Sequence, residues 1–386
     1  MPRYIKSLDG LRGLGLFFVL YYHYFGSHKN PWLGFAWIWV QMFFVQSGYL
    51  ITKLLIADKG ATFRAYITRF YWRRALRILP PYVAFLSVFG LAYAFLGRPH
   101  DFLVHFPYLA TYTYNFTRLV PSLHYNLNFI HLWSLAIEEQ FYLLWPLVIF
   151  FLSGRRLKQV LILIIILGPI CRWLLGAYLT RYCAAGDGGV GFDPFAVGEA
   201  VYTFTLSQWD AFAFGAMIPV FGLSQRVRHP RRWALIILGL LLCGGIANLV
   251  AYEGSSLLAN ISALGLPVAS TTNYQHVWSY SLVNLMFMFV ILDASRPEYR
   301  GVFGIPPFVY VGKVAYGLYI YHFTVLILVQ EACERFHLPS SVGFLLGGGL
   351  SLLVARLSYH FFEAKLLAFK DMIGSRRPQR AEPPDG

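Results

Sequence analysis

The sequence predicts an all-α, polytopic integral membrane protein of about ten transmembrane helices with both termini cytoplasmic. Three observations carry that reading. Of 386 residues, 57% are hydrophobic and only 13% charged, whereas a soluble domain carries about 25% charged residues; mean hydropathy is +0.54. Ten apolar runs, at roughly 11–27, 35–56, 81–97, 133–152, 158–178, 202–222, 233–251, 277–294, 308–330 and 342–362, each approach the ~20 residues a helix needs to cross a bilayer. Basic residues crowd alternate connections: Arg3, Lys6 and Arg12; Lys53 to Arg77; Arg155, Arg156 and Lys158; Arg226 to Arg232; Arg296 and Arg300; and Lys365 to Arg380. The other connections hold little beyond Lys29, Arg98, Arg118, Arg181 and Arg335. Such an excess marks the cytoplasmic side. The net charge of +14 therefore reads as topology, with no nucleic-acid partner.

Residues 1–365 form one membrane domain without internal repeats, and 366–386 a basic, Pro-rich cytoplasmic tail expected to be disordered. Leu8–Phe25 is followed by no small-residue cleavage site, so no cleavable signal peptide is expected. Cys171, Cys183, Cys243 and Cys333 show no metal or redox spacing, and the sequence leaves open whether Cys183 and Cys333 pair.

In chain order, the first run carries Arg12 and His23, eleven positions apart on one helix face and about 16 Å apart along the axis. Ionisable groups are costly in a bilayer. The alternatives are that Arg12 snorkels to the interface and His23 packs with a hydrogen bond, or that both are used in chemistry. Ser47-Gly48 in the second run suits close helix packing. Ala61–Ile78 reads as an amphipathic surface helix with a stripe of Arg69, Arg73 and Arg77, ended by Pro80-Pro81. It binds anionic lipid headgroups, or Arg74 and Arg77 form a fork for a phosphate-bearing cytoplasmic ligand, with Arg73 beside them. The outer segment 97–132 mixes tyrosines and amides, which suits either an aromatic belt or sugar contact.

His131–Pro146 (HLWSLAIEEQFYLLWP) opens the fourth span with Ser134, Glu138, Phe141 and Trp145 on one face. Glu139 suits compensation of the helix dipole in a first turn. Glu138 turns inward at about the depth of His23, since the first and fourth spans run oppositely. A carboxylate that orients a histidine makes a general base for a hydroxyl proton. Asp210 lies inside the sixth span and needs a partner or water. Lys313 and His322 lie in the ninth, where His322 is either a structural histidine or part of the site. Arg356 is expected as a buried partner and Glu363 as a cytoplasmic anchor.

The ordered set LDGLRGL with His23, FFVQSGYLI, RRALRILP, LWSLAIEEQFYLLWP, SQWDAFAFGAM and YGLYIYH resembles the membrane-bound acyltransferase type 3 family over about residues 5–365. The resemblance implies an O-acyltransferase moving an acyl group, often acetyl, from cytoplasmic acyl-coenzyme A to a hydroxyl of an extracytoplasmic glycan. It implies His23 and Glu138 as catalytic, with Arg12, Arg73, Arg74 and Arg77 for the donor and Ser134, Asp210 and His322 as possible support. Acyl-coenzyme A is then a co-substrate, with no bound cofactor and no metal. Membrane lipids and the glycan are the other partners, and the location is the plasma membrane of a bacterium. Two positions depart from the family pattern: Ala315 stands where serine is frequent, and Glu363-Ala364-Lys365 replaces glutamate-arginine-proline. Some members add an extracytoplasmic hydrolase-like domain; here any such component is expected to be a separate protein. Two rival readings remain at this stage, a glycan or lipid transporter or flippase, and an O-acyltransferase of a small antibiotic-like acceptor.

Overall fold

A computed structural model describes residues 4–25, 33–120, 123, 126–184, 194–251, 257–299 and 301–372. Its regular elements are helical, with no strand among the described residues. The principal helices are α1 (Lys6–Phe25), α2 (Ile38–Asp58), α3 (Phe63–Phe95), α4 (Leu132–Phe151), α5 (Gly154–Ala184), α6 (Thr205–Val220), α7 (Pro230–Val250), α8 (Gln275–Ala294), α9 (Pro306–Lys313), α10 (Ala315–Arg335) and α11 (Ser340–Ser358). Leucine, isoleucine, valine and phenylalanine fill their interiors, and a helix satisfies its own backbone polar groups where water is absent.

Seven helices among the described residues are long and apolar enough to cross a membrane, or eight if α9 and α10, bent by 82° at their junction, count as one broken span. The expected ten do not all reach that standard. The first turns of α1 carry Lys6, Asp9 and Arg12, and α6 has only 16 residues with Asp210 among them.

The packing that matters for function is made by glycine. A Cβ on Gly13 would stand 2.0 Å from the Phe308 carbonyl oxygen, and one on Gly312 1.8 Å from that of Asp9. Backbones therefore touch where α1 lies along α9, as small residues allow between membrane helices. Gly48 of α2 meets the Phe212 carbonyl of α6 in the same way, which is the packing role expected of the Ser47-Gly48 pair.

Three local expectations are corrected. Pro80-Pro81 does not end a surface helix, because α3 runs unbroken through both prolines for 33 residues. Hydroxyls of Tyr316 and Tyr321 donate to the carbonyls of Ile78 (2.9 Å) and Pro81 (3.4 Å), which ties α10 to α3 at the prolines. Glu139 is the eighth residue of α4, beyond the turn where the helix dipole acts. Arg356 is exposed, whereas Glu363 is buried and accepts from Ser358 at 2.8 Å. A π-helical turn, Tyr359–Glu363, inserts extra length after α11 and re-aims the residues that follow.

Candidate active site

Two polar centres lie at the two ends of one face of α1. The first is built on arginines. Arg12 pairs with Asp9 at 3.0 Å, and its side chain is 18% exposed; Asp9 also accepts from the Tyr4 hydroxyl at 2.6 Å. Arg12 lies within electrostatic reach of Arg77, Glu138 and Tyr142, and Arg74 within reach of Arg77, Glu138 and Glu139. The Arg74 guanidinium sits over the Tyr142 ring, 5.1 Å from its centroid, and 5.8 Å from that of Phe70. The Tyr142 hydroxyl donates to Glu138, and so does Ser47 of α2. Neither Arg74 nor Arg77 makes an ion pair among the described residues. Convergent, incompletely neutralised arginines favour an anion, and guanidinium suits phosphate. Arg73 is half-buried on the same stretch of α3.

The second centre is built on histidines, and its hydrogen bonds assign their tautomers. His322 is fully buried, and its Nδ1 lies 2.6 Å from the Tyr319 carbonyl oxygen. A carbonyl only accepts, so Nδ1 carries the proton and, in a neutral ring, Nε2 is an acceptor. His23 Nδ1 lies 2.7 Å from that Nε2 and must donate to it. The His23 Nε2 lone pair is then left without a partner among the described residues. His131 donates from Nε2 to the Ile320 carbonyl at 3.1 Å, and its buried Nδ1 has no partner. Tyr319 donates to the His131 carbonyl at 2.8 Å and meets Ser134 Oγ at 2.5 Å. Tyr319 is also within electrostatic reach of Glu138, so this layer joins the two centres.

The expected His23–Glu138 pair is not formed. Opposed helix directions fix neither the depth of Glu138 relative to His23 nor the way its face turns. The face of α4 bearing Glu138 turns toward Ser47 and Arg74, while His23 turns toward α10 and its partner is His322. Asp210 lies apart from both centres: Arg172 grips it bidentately at 3.1 and 2.9 Å, with both side chains at 0% exposure, and Ser281 donates to it at 2.6 Å. The structure thus gathers Arg12, Arg74, Arg77 and Glu138 at one end and His23, His322 and Ser134 at the other, and makes Asp210 a tie between α5, α6 and α8. Sequence reasoning missed Tyr142, Tyr319, His131 and Arg172. Tyr142 sits one turn from Glu138 and Arg172 interrupts an apolar run, so both left a signal; Tyr319 left none beyond its motif. The Cys183 side chain and the 186–189 connection lie outside the described residues, while Cys333 is a buried free thiol.

The model of the acyltransferase domain family matches residues 5–360. The chain is similar to the O-acetyltransferase OatA of Staphylococcus aureus strain NCTC 8325 / PS 47, with 28% identity over 383 residues, covering 95% of this chain and 57% of that protein. It is similar also to a putative O-acetyltransferase, SACOL0978, of Staphylococcus aureus strain COL, with 29% identity over 370 residues, 94% of this chain and 57% of the relative. The chain therefore spans a little over half the length of the curated relatives it matches. No solved structure matches it.

Proposed function

The chain belongs to the acyltransferase domain family, and on that premise we propose that it is a bacterial plasma-membrane O-acyltransferase. It takes an acyl group, acetyl first, from cytoplasmic acyl-coenzyme A and gives it to a hydroxyl of an extracytoplasmic glycan. Both termini are cytoplasmic in this reading, as the alternating basic connections support. The arginine end of α1 then faces the cytoplasm and the histidine end faces outward.

One observation carries the reading: a phosphate-suited centre and an unpaired imidazole nitrogen stand at two ends of one helix face, about 16 Å apart by helical rise. A pantetheine arm of about twelve bonds from phosphate oxygen to sulfur spans roughly 14 Å when extended, at ~3.5 Å per three bonds. With its phosphates at Arg12, Arg74 and Arg77, acyl-coenzyme A brings its thioester to His23. His23 Nε2 takes the proton of the acceptor hydroxyl, and the oxygen attacks the thioester carbonyl. The tetrahedral intermediate collapses with cleavage of the carbon–sulfur bond, and the departing thiolate takes the proton back from His23. His322, accepting from His23 Nδ1, holds the ring in the required tautomer. Glu138 anchors Tyr142, on which Arg74 rests, and offsets the arginine charge.

The test uses proteoliposomes, labelled acetyl-coenzyme A and envelope glycan from a host lacking the gene. Wild type should form labelled ester. His23→Ala should lower the rate about 10²–10⁴-fold, the usual worth of a general base, with donor affinity retained. A wild type that moves glycan across the bilayer without ester formation, or a fully active His23→Ala, overturns the proposal.

A further inference from the structure

Glu139 lies within electrostatic reach of Arg74 and Tyr112 within reach of Glu139, two polar groups that the mechanism leaves unused. Glu139 Oε1 is buried without a hydrogen-bond partner, and so is the hydroxyl of Tyr112. The two groups lie within electrostatic reach of each other, with Tyr82 and Tyr316 around them. Their surroundings are otherwise satisfied. The Tyr82 ring stacks on Tyr112 with centroids 4.7 Å apart, and its hydroxyl donates to the Leu109 carbonyl at 2.8 Å.

Tyr112 is held there with effort. Its φ is +52°, a left-handed conformation that is uncommon for a bulky residue and that clusters at functional sites. Gln140, next to Glu139, fixes it by donating to the Tyr112 carbonyl at 2.7 Å and to Asn115 at 2.9 Å, and itself accepts from Thr205 at 2.6 Å. A strained, well-braced residue thus offers an unpaired hydroxyl near an unpaired carboxylate oxygen, a donor and an acceptor that together suit a polar ligand.

We propose that Glu139 and Tyr112 form a subsite for a neutral hydroxyl-bearing part of one of the two substrates of the acyl-transfer reading on which this rests. The carboxylate oxygen accepts from a ligand hydroxyl, and the phenol donates to a ligand oxygen. A cation is disfavoured because Arg74 already lies within reach of Glu139, and an anion because Glu138 and Glu139 adjoin. Two sources share this chemistry: the pantoyl hydroxyl of the donor arm, which follows the phosphates and so lies near Arg74 and Glu139, and a sugar hydroxyl of the acceptor, since Tyr112 comes from the segment that the topology puts outside.

Tyr112→Phe and Glu139→Gln separate the possibilities in the same proteoliposome assay. Tyr112→Phe removes a hydroxyl that has no partner among the described residues, and Glu139→Gln keeps the shape while removing the carboxylate charge, so the thermal midpoint should hold or rise. The half-saturating concentration of one substrate should increase about ten- to a hundredfold, as for a lost hydrogen bond to a polar or charged group, while the maximal rate and the half-saturating concentration of the other stay near wild type. A rise for acetyl-coenzyme A assigns the hydroxyl to the donor, and a rise for glycan assigns it to the acceptor. Unchanged saturation for both substrates in an active protein overturns the subsite alone, as does a lowered thermal midpoint with unchanged saturation, which marks a purely structural role. An inactive wild type brings down the acyl-transfer reading and the subsite with it.

Discussion

At the scale of the residue, His23 is defined by what its other nitrogen does. A donor bond from Nδ1 to His322 leaves Nε2 as the basic site, so the partner matters through tautomer and aim. His322→Ala should lower the maximal rate about ten- to a hundredfold, the worth of an orphaned donor of roughly 1–3 kcal/mol. His322→Gln, whose amide oxygen can accept from Nδ1, should recover part of that loss. Donor binding should be unchanged in both, and equal activity of His322→Ala and wild type would remove His322 from the mechanism. Arg12 and His23 were legible because helical spacing alone puts them on one face. Their partners were not, since spacing gives the phase of a residue on its own helix and says nothing of the helix that faces it. Glu138 therefore appeared opposite His23 by depth, while its hydrogen bonds run to Ser47 and Tyr142.

At the scale of the element, α3 shows how tertiary contacts override a local signal. Two adjacent prolines read as a boundary, yet the helix continues through them, held by tyrosine hydroxyls from α10 on the carbonyls of Ile78 and of Pro81 itself. The arginine-bearing half and the apolar half are consequently one rigid rod, and Arg74 is fixed against Tyr142. Arg74→Ala and Arg77→Ala should each weaken acetyl-coenzyme A binding by roughly 1.5–3 kcal/mol, as for charge-assisted hydrogen bonds to phosphate. Arg74→Lys should recover little, because an ammonium lacks the planar fork and its stacking. Titration of purified variants with acetyl-coenzyme A measures this, and unchanged affinity in both alanine variants would return the arginines to lipid headgroups.

At the scale of the whole molecule, the Arg172–Asp210 pair ties three helices, with Asn284 also donating to Asp210 at 3.3 Å. Asp210 was legible as an acid requiring a partner; the partner was not, because it lies 38 positions away on another helix. Removing one member leaves a buried charge uncompensated, so Asp210→Ala should destabilise by about 3–5 kcal/mol. The double change Arg172→Met with Asp210→Leu should be milder, the two together removing the charge as well as the bond. Thermal unfolding in detergent reads the difference, and additive losses would show that the pair is not a unit. The count of spans was less legible than the fold class. A polar-laden α1 and a short α6 are tolerated where neighbouring helices cover them, which hydropathy cannot register.

The position of Arg12 has an electrical consequence. It is the seventh residue of α1, about 9 Å of helical rise from the first, or roughly a third of the way through a ~30 Å hydrocarbon layer if α1 starts at the cytoplasmic face. A phosphate bound there senses part of the transmembrane potential. With the interior negative, an anion entering from the cytoplasm moves down the electrical gradient. At about 2.3 kcal/mol per charge per 100 mV across the full layer, a pyrophosphate with two charges at that depth gains roughly 1.4 kcal/mol, or tenfold in affinity. Half-saturating acetyl-coenzyme A should therefore fall by about that factor in proteoliposomes energised with a potassium gradient and valinomycin, and return when the gradient is collapsed. A donor constant indifferent to voltage would put the phosphates at the surface, outside the field. An energised cell would load this enzyme at donor concentrations that leave it empty in a depolarised one.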